Sequence, residues 1–112
     1  MTKNIAMDEL EPSEFYLAQN YPNPFKERTV IKYCVAYKTR VNLKVYNAEG
    51  KEIEQLVDEE KNPGTYEVEF SNYHSREGGN PDRGSYFYRL EAGDYLSEKK
   101  MSLNKYIIKE DL

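Results

Sequence analysis

The sequence predicts an all-β protein, an antiparallel sandwich of about seven short strands, on three observations. Runs of alternating apolar and polar residues recur between turn signals, at the spacing of roughly 8–12 residues that marks sandwiches and barrels. Aromatic usage is skewed to 11 Tyr and 4 Phe with no Trp, in a chain of 112 residues, and Tyr suits a pleated surface where the ring packs and the hydroxyl stays wet. No segment shows a convincing helical period. The length allows one domain. Hydrophobic residues make up 38% and charged residues 32%, a balance that fits strands with only one face turned inward.

The elements follow in order. Residues 1–13 are polar or acidic without periodicity and read as a flexible lead or linker, so the folded unit is expected over residues 14–105 and an extension over 106–112. Phe15 and Leu17 open an extended segment. In Gln19–Phe25, Pro22 and Pro24 remove two amide donors and push Tyr21 and Asn23 into extended conformations. A ladder strand cannot pass there, but a tight crossing at a sheet edge can, with Tyr21 and Phe25 as expected anchors into the core. Alternation then places Ile31, Tyr33 and Val35 on one face, and next Val41, Leu43 and Val45. Asn47-Ala48-Glu49-Gly50 is a hairpin turn. Ile53, Leu56 and Val57 mark a shorter, less regular strand. After the turn at Asn62-Pro63-Gly64, the residues Tyr66, Val68 and Phe70 alternate with Thr65, Glu67 and Glu69. Asn72 to Gly84 reads as a long surface loop. Tyr86, Tyr88 and Leu90 then face inward, Gly93-Asp94 turns the chain, and Tyr95, Met101 and Leu103 complete the core. The pattern leaves an immunoglobulin-like sandwich or a small barrel.

Chemistry-bearing motifs are sparse. His74 is the single histidine and lies in the long loop, so no Ser-His-Asp or Cys-His arrangement is expected from it or from its neighbour Ser75. Glu77, Asp82 and the carbonyls of Gly78, Gly79 and Asn80 could wrap a calcium ion, but carboxylates there are few and irregular, and a plain loop is the expectation. Cys34, alone, excludes an internal disulfide and reads as a small strand hydrophobe. Gly78-Gly79 lacks the Gly-Lys-Ser/Thr sequel of a phosphate loop. Paired Glu residues such as Glu67 and Glu69 read as the wet side of a sheet. No catalytic site and no cofactor are expected. The net charge of −4 without a basic stripe argues against nucleic acid. No apolar run reaches membrane-spanning length, and the first residues do not form a secretory signal peptide.

Several segments together resemble a known family. LAQNYPNPF at Leu17–Phe25, TVIKY at Thr29–Tyr33, VNLKVYNAEGKEIEQLV at Val41–Val57, GTYEVEF at Gly64–Phe70, GSYFYRLEAGDY at Gly84–Tyr95 and KKMSLNK at Lys99–Lys105 occur in the order found in the C-terminal sorting domain of the type IX (Por) secretion system. The resemblance covers about Phe15 to Lys105. It implies a seven-stranded immunoglobulin-like sandwich, normally fused downstream of a secreted cargo and catalytically inert. The implied partners are the outer-membrane secretion machinery and a sortase-like peptidase. The implied destination, for a cargo bearing a signal peptide, is the cell surface or the medium by way of the periplasm. A sorting label is expected to hold its information in the last strand, at Lys99, Lys100, Met101 and Lys105, with Lys99 and Lys100 guarding an edge of an otherwise monomeric domain. The chain departs from the family pattern after Phe70-Ser71-Asn72, where His74–Arg83 forms an insert, and at Tyr106–Leu112, which extends past the usual end. The alternative is an immunoglobulin-like accessory domain of an extracellular protein, binding carbohydrate or protein through an aromatic face or the long loop.

Overall fold

A computed structural model describes residues 12–71 and 83–104. Seven strands run in sequence: β1 Tyr16–Leu17, β2 Arg28–Val35, β3 Thr39–Tyr46, β4 Glu52–Lys61, β5 Gly64–Ser71, β6 Arg83–Ala92 and β7 Tyr95–Asn104. They form two antiparallel sheets, ordered β1-β2-β5 and β4-β3-β6-β7. This is the expected immunoglobulin-like sandwich. It differs from the constant-type arrangement in that the fourth strand joins the third rather than the fifth.

Alternation decides which residues fill the space between the sheets. Ile31, Tyr33 and Val35 of β2 face Val41, Leu43 and Val45 of β3 and Tyr86, Tyr88 and Leu90 of β6, all of them buried. Aromatic rings close the two ends. At one, Phe15 stands edge-on to Tyr37 at 4.9 Å and stacks on Tyr95 at 5.6 Å. At the other, Phe70 lies edge-on to Tyr86 at 5.6 Å and to Phe25 at 6.0 Å. Such offset and edge-on contacts suit the ring quadrupole.

The irregular β4 has a plain cause. Its register against β3 shifts twice, so that Leu43 pairs with Val57 but Lys44 with Gln55, and Val45 with Glu54 but Tyr46 with Glu52. Leu56 and Ile53 are the extra residues. Each bulge resets the alternation, which lets Ile53, Leu56 and Val57 all pack on the core despite a spacing foreign to a regular strand.

Tyr21 is not a core anchor. It is 81% exposed, because its backbone exchanges both hydrogen bonds with Val30, at 2.9 Å each, which turns its ring to the outer side with Val30. Asn20 takes the inward place, and Phe25 is buried as expected. The peptide bonds preceding Pro22 and Pro24 are cis. Most of the lead, the loop with His74, Glu77 and Asp82, Lys105 and the extension 106–112 lie outside the described residues. Among the described residues no helix is long and apolar enough to cross a membrane.

Candidate recognition site at the last strand

β7 pairs with β6 over its whole length, from Tyr95 opposite Ala92 to Asn104 opposite Arg83. Directly opposed residues share a face of a sheet. Lys99 therefore sits beside the buried Tyr88, on the core-facing side, while Lys100 sits beside Phe87 on the outer side. Lys99 is half-buried and Lys100 exposed. Met101 is fully buried among the core residues. Of the expected recognition residues, Lys99 and Met101 thus lie on the core-facing side and Lys100 on the outer side, while Lys105 is outside the described residues. Arg89 joins Lys100 on the outer side. Its guanidinium bonds Glu98 at 3.1 Å and lies 5.0 Å from the Tyr46 ring centre, and the hydrogen bond to Glu98 is the main reason that its pKa is raised.

The free edge of β7 is covered by the Pro-rich segment, which forms a strap from the opposite sheet. Phe25 pairs in parallel with Leu103. Its N–H donates to the Ser102 carbonyl at 2.8 Å, and its carbonyl accepts from Asn104 N–H at 2.9 Å. The Asn23 side chain accepts from Ser102 N–H at 2.9 Å. Gln19 Nε2 donates to the Lys100 carbonyl at 2.7 Å. The two prolines suit this place because they offer no donor that the edge would leave unpaired.

A buried polar node fixes the start of the strap. The Tyr88 hydroxyl donates to the Ala18 carbonyl at 2.7 Å and accepts from Asn20 N–H at 2.8 Å. Asn20 Nδ2 donates to Thr29 Oγ1 at 2.9 Å and to the Pro22 carbonyl at 3.1 Å, and Thr29 Oγ1 donates to the same carbonyl at 2.8 Å. Burial pushes the Tyr88 phenol up to about 12, and burial does the same for Tyr33. Sequence reasoning missed Asn20 and Thr29. Their signal was an Asn immediately before a Pro-interrupted run, a polar residue able to satisfy donors and acceptors that a proline-broken ladder leaves open.

Cys34 lies in β2 as expected, half-buried, with Sγ 3.6 Å from Thr65 Oγ1. Among the described residues no three His, Cys, Asp or Glu side chains group as they would around a metal ion.

The family model described as the secretion system C-terminal sorting domain matches residues 19–104. No curated protein matches the chain. The match begins at Gln19 and ends at Asn104, two residues that both bond across the strap. The matched stretch is therefore the sandwich from the start of the strap to the end of the strand it covers, and the chain belongs to the secretion system C-terminal sorting domain family.

Proposed function

We propose that this domain is a non-catalytic sorting module that directs an attached cargo protein through the type IX secretion system to the cell surface or medium. The observation that carries the reading is the family match over residues 19–104, which takes in six of the seven strands and the strap. On this reading the outer-membrane secretion machinery recognises the folded domain, and a sortase-like peptidase separates it from the cargo. The strap supports the reading physically. A label must travel as a folded, soluble unit, and a covered final edge keeps it from pairing with other chains on the way. The recognition surface includes Lys100 on the outer face, and Met101 holds the strand to the core.

The test is export of a reporter. Residues Glu11–Leu112 are joined behind a signal peptide and a fluorescent protein in a host that has the type IX machinery. Reporter at the surface or in the medium, lost in a machinery-deficient strain, is the expected result. Reporter held in the periplasm with the domain folded, both for the full chain and for one ended at Lys105, would overturn the proposal in favour of an accessory binding domain.

A further inference from the structure

A two-sheet sandwich has four edges, and each is a template for another strand unless something blocks it. Three are blocked here. β7 is covered along its C-terminal half by the strap, leaving only the short stretch from Tyr95 to Glu98. β1 is two residues long and runs on into that strap. β4 has two bulges. It also has an inward-turned Glu54, which lies opposite Val45 and whose Oε1 is sealed from water without a hydrogen-bond partner among the described residues.

β5 has none of these devices. Its register against β2 is unbroken over eight residue pairs, from Arg28 opposite Ser71 to Val35 opposite Gly64. β2 is its one neighbour among the described strands, and from Gly64 to Phe70 nothing among the described residues pairs with its far edge. Beside that edge, between β5 and β4, lies a groove of about 290 Å³ lined by the apolar Leu56, Val57, Tyr66 and Val68 and by Asp58, Glu59 and Lys61. The four apolar side chains are only half-buried. On the other face of β5 stand Glu67 and Glu69, both exposed. Glu67 meets Lys32 at 3.7 Å with both side chains more than half exposed, a pair worth little. Glu69 lies opposite Val30 and has no ion-pair partner among the described residues.

We propose that the free edge of β5 docks an extended strand of a partner protein in which Lys or Arg alternates with apolar residues. Backbone hydrogen bonds along β5 supply the attachment. Period-two alternation sends the apolar side chains into the groove and the basic ones beside Glu67 and Glu69. A second copy of this chain is the wrong occupant. Two-fold antiparallel pairing of β5 with itself, in the same-face registers with most overlap, sets Glu67 opposite Glu67 or Glu69, and like charges directly opposed are destabilising. The proposal concerns binding alone and does not depend on export.

The probe is a synthetic nine-residue peptide alternating Lys and Val, titrated into the full chain with backbone amide shifts as the readout. Shifts clustered on Thr65–Phe70 and on the groove side of β4 are expected. A peptide of the same composition with its Lys and Val in separate blocks, and one N-methylated at alternate amides, are each expected to bind at least ten-fold more weakly. The double variant Glu67→Lys, Glu69→Lys is expected to lose at least ten-fold at unchanged melting temperature. The peptide controls use the native chain, so they decide the matter even if that variant folds poorly. Absence of binding, equal binding of all three peptides, shifts centred on β7, or a peptide-free dimer formed through β5 would each overturn the proposal.

Discussion

Phe25 and Leu103 pair in parallel, backbone to backbone, although one belongs to the Pro-rich segment near the start of the fold and the other to its last strand. The Phe25 ring is fully buried, so one residue both caps the β7 edge and fills the end of the core against Phe70 and Tyr86. Phe25→Ala is expected to cost about 3–5 kcal/mol, the usual range for an emptied aromatic site. Denaturant unfolding measures it. Phe25→Leu, which keeps most of the volume and all of the backbone bonds, is expected to cost less than half as much. Equal costs would mean that the ring packs less than its burial implies.

Alkaline pH should unfold the domain through Tyr33 and Tyr88. Both phenols are raised to about 12 by burial, from 10. The unfolded chain therefore gives up these protons first. Stability is complete below pH 10 and falls as pH rises from 10 to 12, by about 2–3 kcal/mol per tyrosine once both states are ionised. Tyr88→Phe is expected to lower stability by about 1–3 kcal/mol at neutral pH, because Ala18 and Asn20 lose their partner. It should also halve the steepness of the alkaline decline. A decline equally steep in the variant would show that Tyr88 does not contribute to it.

Gly93 turns the chain between β6 and β7 at φ +59, and a Cβ there would lie 2.6 Å from the Tyr37 hydroxyl oxygen. Tyr37 is half exposed and its ring can swing aside, so the backbone conformation should dominate. Gly93→Ala is expected to cost about 1–2 kcal/mol. Most of that cost should persist in a Tyr37→Ala background. A cost that vanishes with Tyr37 removed would assign the effect to the contact instead.

Much of this fold is legible in the sequence wherever one rule acts alone. Ile31, Tyr33 and Val35, or Tyr86, Tyr88 and Leu90, follow strict alternation, and every one of them is buried. The reading weakens where rules compete. Two prolines interrupt the ladder between Ala18 and Thr29, so alternation no longer says whether Asn20 or Tyr21 turns inward, and the backbone pairing of Tyr21 with Val30 decides it. In β4 the apolar positions Ile53, Leu56 and Val57 match no single period, because bulges are invisible to pattern until the partner strand is known. The expected recognition residues are the opposite case. The period-two rule that orders the core also puts Lys99 and Lys100 on opposite faces and buries Met101.

That separation makes the two lysines distinguishable by experiment. Lys100 is exposed on the outer face beside Phe87, so Lys100→Glu should change stability by no more than about 0.5 kcal/mol. Lys99 is half-buried on the side of Tyr88, and Lys99→Glu should cost about 1–2 kcal/mol, because the shorter carboxylate loses the stem packing and draws charge toward the core. Each variant is then carried into the export assay with its melting temperature measured in parallel. If the outer face is read by the machinery, Lys100→Glu lowers export at unchanged melting temperature. Lys99→Glu then lowers it only as far as folding is lost, so that export recovers in a more stable background. Export lost with Lys99→Glu at full stability, and kept with Lys100→Glu, would place recognition on the β7 seam between the sheets instead. Export unchanged in both would remove the lysines of β7 from recognition altogether.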